Sequence, residues 1–254
     1  MARKPIIGGN WKMHLTLQDA LHLASDVRNR LGSQRGVEVV IFPSFPFLNA
    51  VAERVSGSAV HVGGQDVHAE AKGAFTGAVA GEMLTSVGCS HVLIGHSERR
   101  AVFGDSDALV AKKLHAALKA DLKPVLCCGE SLDERKASQT FAVVSRQLRT
   151  ALHGLNALQL QHLVIAYEPV WAIGTGLVAS PEQAQEVHAH IRSEIRDLLG
   201  REFADALRLQ YGGSVKASSA AGLMAQTDID GLLVGGASLQ SEEFANIVRY
   251  RQNN

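Results

Sequence analysis

His162-Leu-Val-Ile-Ala-Tyr-Glu-Pro-Val-Trp-Ala-Ile-Gly-Thr-Gly176 carries the pattern from which the rest of the chain is read. The apolar run His162–Tyr167 reads as a strand buried on both faces. Glu168 stands where it ends, and Pro169 removes a ladder donor and stops the sheet. An apolar patch, Val170 to Ile173, then leaves through Gly-Thr-Gly, and Ser180-Pro181-Glu182 opens a helix with a capping residue, a first-turn proline and an early acid. Strand, loop and helix follow one another within forty residues, with a carboxylate at the strand tip and a glycine-hinged apolar loop after it.

Working outward, the same unit recurs. Apolar runs rich in Val, Ile and Leu lie at Pro5–Trp11, Val37–Phe42, Ala59–Gly64, His91–Gly95, Leu122–Cys128, His162–Tyr167, Leu207–Tyr211 and Gly231–Val234. They are continuous rather than alternating, as buried parallel strands are. Stretches at helical spacing separate them: Thr16 to Leu31, Asp105 to Lys119, Glu130 to Leu152, Pro181 to Leu199 and Glu242 to Arg251. Ser44 and Ser97 are expected as helix N-caps. Strand and helix alternating eight times predict an α/β protein, a (β/α)8 TIM barrel forming a single domain over residues 1–254. An open doubly wound sheet is disfavoured, because no Gly-x-Gly-x-x-Gly follows the first strand.

Composition narrows the function. The chain has 254 residues, 46% hydrophobic and 20% charged, with a formal net charge of zero. Nothing in that balance points to nucleic acid or an anionic membrane surface. No apolar run approaches the ~20 residues of a membrane helix, and the first residues do not read as a signal peptide, so a cytoplasmic protein is expected. Cys89, Cys127 and Cys128 are odd in number, and the last two point to opposite faces of a strand, so reduced thiols are expected and a disulfide framework is not. No spacing suits zinc, and His188 and His190 do not share a helix face.

In a barrel the site lies at the C-terminal ends of the strands. Those ends carry Asn10 and Lys12, Gln65, His96, Glu168, Gly212-Gly213-Ser214 and Gly235-Gly236. Taken alone, each has a plain explanation: a surface ion pair for Glu168, a structural ring for His96, a surface lysine, tight glycine turns. Together they suit enolisation of a small phosphorylated substrate without a metal or cofactor. Glu168 under an apolar lid is a desolvated base. A ring facing a helix N-terminus tends toward neutrality and can donate to a substrate oxygen. Lys12 is a fixed cation for an enediolate, and glycine turns after strands seven and eight let backbone N–H groups approach a phosphate, with Gly174 on the lid adding another.

Gly9-Asn-Trp-Lys12, Ile94-Gly-His-Ser-Glu-Arg-Arg100, Ala166 to Gly176, Tyr211-Gly-Gly-Ser214 and Leu233-Val-Gly-Gly-Ala237, in this order across essentially the whole chain, resemble the triosephosphate isomerase family. The resemblance implies interconversion of glyceraldehyde 3-phosphate and dihydroxyacetone phosphate. It assigns proton transfer to Glu168, carbonyl polarisation to His96, positive charge to Lys12 and its placement to Asn10. Phosphate binding falls to Gly174, Ser214, Gly235 and Gly236. Trp171 and Ile173 belong to the lid, Tyr211 and Ser214 would hydrogen-bond it when closed, and Cys127 supports Glu168. The resemblance also implies a homodimer, with Thr76 of the Gly73-Ala-Phe-Thr-Gly77 loop reaching the partner's site. Ala78, Asp105, Cys128 and His14 depart from the family pattern without touching the catalytic set, and Ala78, Asp105 and His14 bear on loop or interface stability. A different phosphosugar barrel enzyme, such as an epimerase or aldolase, is the alternative within enzymes; an aldolase would need a Schiff-base lysine in the barrel interior or a metal site, and nothing around Lys123, near the fifth strand, marks it as that lysine. A binding protein without activity would be expected to have lost Lys12, His96 or Glu168.

Overall fold

The computed structural model describes residues 3–173 and 178–252. Eight strands run β1 (Ile6–Asn10), β2 (Glu38–Phe42), β3 (Val60–Gly64), β4 (His91–Ile94), β5 (Lys123–Cys128), β6 (Val164–Tyr167), β7 (Arg208–Tyr211) and β8 (Gly231–Val234). Each pairs in parallel with the next, and β8 returns to β1 with Ile6 opposite Gly231, closing the barrel. The expected strands are all present, most of them shortened at one or both ends.

Period-two alternation divides the strand residues between two cores. Ile6, Val40, Phe42, Leu93, Val125, Cys127, Val164, Ala166 and Leu233 fill the lumen. Their neighbours, Ile7, Val39, Ile41, Ile94, Cys128 and Tyr167 among them, pack outward against the helices. Cys127 and Cys128 therefore do fall on opposite faces, and all three cysteines are free and buried. Gly63 is required by its neighbour: a Cβ there would lie 2.4 Å from the Phe42 ring. At the N-terminal end of the lumen Glu38 accepts a hydrogen bond from His91 Nε2 at 3.1 Å and another from the Arg208 guanidinium.

The helices that matter for the site are α1 (Leu17–Leu31), α2 (Ser97–Val102), α3 (Asp107–Lys119), α4 (Leu132–Lys136), α5 (Thr140–Leu152) and α6 (Pro181–Leu199). Thr16 and Ser180 cap α1 and α6 through reciprocal capping boxes. Two expectations are corrected. The helix expected over Glu130 to Leu152 is two helices, broken where Ser138 takes a positive φ of 57°. Neither serine acts as the expected side-chain cap. Ser44 precedes a 3₁₀ turn and its hydroxyl donates to the Lys12 carbonyl, while Ser97 is the first residue of α2, whose cap is His96. Asp105, also a departure from the family pattern, is buried and accepts hydrogen bonds from Lys113 at 2.6 Å and Arg99 at 3.2 Å. No helix among the described residues is long and apolar enough to cross a membrane.

Candidate active site at the C-terminal mouth of the barrel

Lys12 is held in a conformation that its residue type disfavours. Its φ is +52°, a left-handed value costing roughly 1–3 kcal/mol outside glycine. The surroundings fix it there. Asn10 Oδ1 accepts its N–H at 3.0 Å, and its carbonyl accepts Gln65 Nε2 at 2.9 Å and the Ser44 hydroxyl at 2.8 Å. The ammonium thus reaches the cavity and meets Glu98 Oε1 at 2.7 Å.

His96 follows β4 through Gly95, whose φ is +68°, and caps α2 with its own ring. The Glu98 N–H points at Nδ1 at 3.2 Å, so that nitrogen carries the lone pair and Nε2 carries the proton. Nε2 faces Glu168 Oε1 at 2.9 Å. Burial pushes the imidazole toward neutrality, but the Glu168 carboxylate beside it, its hydrogen bond and Glu98 together raise the pKa above the ordinary value, with Lys12 opposing. Glu168 is thus what raises the ring's affinity for a second proton. Once the carboxylate turns elsewhere, burial and the occupied Nδ1 favour the neutral form.

Glu168 is 2% exposed rather than a surface carboxylate. Backbone contacts on both sides seat it. Its N–H donates to the Cys128 carbonyl at 2.7 Å, and a Cβ on Gly129 would fall 1.8 Å from the Glu168 carbonyl oxygen, so only glycine fits there. Its second oxygen accepts the Ser97 N–H at 2.8 Å. Cys127 lies behind it, fully buried; burial, then the charge of Glu168, push the thiol far up, so it stays protonated and is no nucleophile.

These groups share a cavity of about 550 Å³. Asn10, Lys12, His96, Glu168, Ile173, Ser214, Gly235 and Gly236 all line it, as does Glu98. Trp171 and Tyr211 stand behind the wall. Trp171 sits in a 3₁₀ turn after Pro169, and its indole N–H donates to Glu130 at 2.9 Å. Tyr211 is buried against the backbone of Ala179; burial pushes its phenol up to about 12, with that backbone opposing. Thr76 is exposed on the loop between β3 and the following helix, outside the cavity. Gly174 lies outside the described residues.

Glu98, Gly129 and Glu130 were not singled out from the sequence. Glu130 is wholly buried and collects Tyr167, Trp171 and Arg135. Their partners lie up to 86 residues away, as for Glu98 and Lys12. The one local signal was the Cys127-Cys-Gly-Glu130 run at a strand end. Among the described residues no group of three or more His, Cys, Asp or Glu side chains could hold a metal ion.

The triosephosphate isomerase family model matches residues 5–251. A triosephosphate isomerase from Moorella thermoacetica is 53% identical over 98% of this chain and 100% of its own length. Those from Citrifermentans bemidjiense and Rhodopirellula baltica are 49% and 48% identical over 98% of this chain, covering 100% and 98% of their own lengths. With eight parallel strands closed into a barrel and the matching motifs gathered at one mouth, the chain belongs to the triosephosphate isomerase family.

Proposed function

We propose that the chain interconverts D-glyceraldehyde 3-phosphate and dihydroxyacetone phosphate through an enediolate, as a glycolytic and gluconeogenic enzyme of the cytoplasm. The observation that carries the mechanism is the protonated Nε2 of His96 directed into the cavity at Glu168. This family is the standard illustration of a glutamate base beside a neutral histidine, so the roles follow the family.

The substrate phosphate binds backbone N–H groups of Ser214, Gly235 and Gly236, with Gly174 closing over it. Glu168 gives up His96 and Ser97 and takes the proton from the carbon next to the carbonyl. The C–H electrons become the enediolate double bond, and the carbonyl electrons pass to oxygen. The Nε2–H of His96 stabilises that oxygen and moves the hydroxyl proton, and Lys12 supplies positive charge in a water-poor site. Glu168 returns its proton to the neighbouring carbon. No metal or cofactor is needed, because Lys12 and His96 supply the electrophilic help. Closure of the Val170–Ile173 segment keeps water from the enediolate, which otherwise expels phosphate to give methylglyoxal.

A homodimer completes the proposal. Met13, Phe75, Met83 and Phe103 are large apolar side chains left exposed on the segments that follow the first, third and fourth strands. Exposed apolar side chains on these segments suit a partner surface, and Thr76, next to Phe75 in the chain, is exposed as well. The deciding test is isomerisation by the purified chain with EDTA present. A kcat/KM approaching about 10⁸ M⁻¹s⁻¹ supports the reaction and its independence from metals; a folded protein without turnover would remove it.

A further inference from the structure

The base and the lid are fastened to one buried carboxylate. Glu130 follows β5 through Gly129 and is fully buried. The Tyr167 hydroxyl lies 3.1 Å from each of its oxygens, and the Trp171 indole N–H donates at 2.9 Å. Its backbone carbonyl accepts the Val170 N–H at 3.1 Å. Tyr167 immediately precedes Glu168, and Trp171 stands three residues after it, so Glu130 grips the chain on both sides of the base.

A buried carboxylate with two neutral donors still needs a cation. Arg135 provides one, with Nη1 3.1 Å from Glu130 Oε1. The same guanidinium lies over the Trp171 ring, its Cζ 4.6 Å from the centroid. Arg135 therefore holds Trp171 twice: directly by its face, and indirectly through the oxygen that takes the indole N–H. Arg135 is itself fixed. It sits on α4, a five-residue helix started by a reciprocal capping box in which Ser131 N–H meets Glu134 at 2.8 Å and Glu134 N–H meets Ser131 at 3.3 Å. It is not among the residues lining the cavity.

We propose that Arg135 is a positioning residue for the isomerisation: its guanidinium orients Trp171 at the root of the lid and, with Glu130, fixes the backbone on either side of Glu168. This deepens the base-and-lid reading above and rests on it. Lysine is not an equivalent, because an ammonium supplies the charge without a plane to lie on the indole.

The test uses a Trp11→Phe background, which leaves Trp171 as the remaining one of two tryptophans. Arg135→Met and Arg135→Lys are compared in it by tryptophan emission and acrylamide quenching, by kcat and KM, and by the share of enediolate lost as methylglyoxal. Arg135→Met is expected to raise quenching of Trp171 and to lower kcat about tenfold, equivalent to about 1.4 kcal/mol. KM is expected to stay within about twofold, because phosphate contacts are untouched, and the methylglyoxal share is expected to rise several-fold. Arg135→Lys should recover kcat in part and quenching little. If Arg135→Met does not fold, Arg135→Lys carries the test: parental emission and product ratio in that variant overturn the proposal. The same outcome in a folded Arg135→Met overturns it while the parent still isomerises and a lid-deleted control still leaks. If the lid-deleted control does not leak, the base-and-lid reading fails first and the role of Arg135 fails with it.

Discussion

At the scale of single residues, the site depends on short backbone distances as much as on chemistry. Glu168 is placed by the strand tip, and its carboxylate is held between His96 Nε2 and the Ser97 N–H. Shortening it by one methylene withdraws the base from carbon while leaving Ser214, Gly235 and Gly236 unchanged. Glu168→Asp is expected to lower kcat by about 10²–10³-fold, within the usual worth of general-base catalysis, with KM nearly constant. Steady-state kinetics would expose a wrong assignment as a retained kcat. Gly129 makes the same point from the backbone side. A methyl group there meets the Glu168 carbonyl oxygen at 1.8 Å, so strand tips β5 and β6 must part. Gly129→Ala should cost about 1–3 kcal/mol of stability, the range for overpacking, and also lower kcat, because the displaced residue is Glu168 itself. Denaturant unfolding and kinetics on the same preparation would separate the two effects; a neutral substitution would mean that the tips are not in fixed contact.

At the scale of elements, the strand pattern was readable because buried parallel strands have a composition of their own, and the eight expected runs became eight strands. Ends were less readable, since a strand stops where its partner stops pairing. The single helix expected over Glu130 to Leu152 failed because helical spacing survives a two-helix break, while the left-handed Ser138 and the Ser131–Glu134 box are local events that periodicity does not weigh. Ser97 lost its capping role to a neighbour, since a ring nitrogen can accept the N–H that serine usually takes. Among the site residues, those at strand tips in recognisable motifs were legible, whereas Glu98 and Glu130 act through contacts that no local pattern encodes. The Val170–Ile173 element leads to a prediction of its own. Trp171 is anchored outward to Glu130 and Ile173 lines the cavity, so this turn forms one wall of the reaction chamber. Replacing residues 170–176 by a short glycine linker should raise methylglyoxal relative to isomerised product by at least several-fold, because water then reaches the enediolate. An unchanged product ratio would show that this wall does not protect the intermediate.

At the scale of the whole molecule, two ends of the barrel are exposed to different tests. The catalytic end meets a partner in the proposed dimer, and Thr76→Arg places a charge on the exposed loop tip; monomers in sedimentation and a large loss of activity are expected, and an active dimer would place the interface elsewhere. The opposite end is closed by Glu38 between His91 and Arg208, and here acid should act on stability. His91 is fully buried, bonded to Ser90 through Nδ1 and to Glu38 through Nε2. Burial depresses its pKa, Glu38 opposing and Lys123 and His61 adding to the depression; burial depresses the fully buried His188 as well. A histidine depressed in the fold takes up fewer protons than in the unfolded chain, whose value is about 6.5. Stability from these two is therefore intact above about pH 6.5 and falls as pH drops through that value toward the folded pKa. His96 works the other way, since its raised pKa adds stability on the acid side. Glu38 enters lower still: burial opposes its charge, but the His91 bond and Arg208 hold the carboxyl well down, so its contribution is lost only below the ordinary carboxylate range. Between about pH 6.5 and 5 two fully buried, depressed histidines stand against one raised, and the urea midpoint should fall with acidification. His91→Gln keeps a donor for Glu38 but cannot titrate. Its midpoint should fall less steeply over the same interval, even if the variant is weaker at pH 8. Parallel curves for the two proteins would show that His91 gains its proton in the fold as readily as in the unfolded chain, and that the N-terminal end of the lumen is open enough to water to hydrate it.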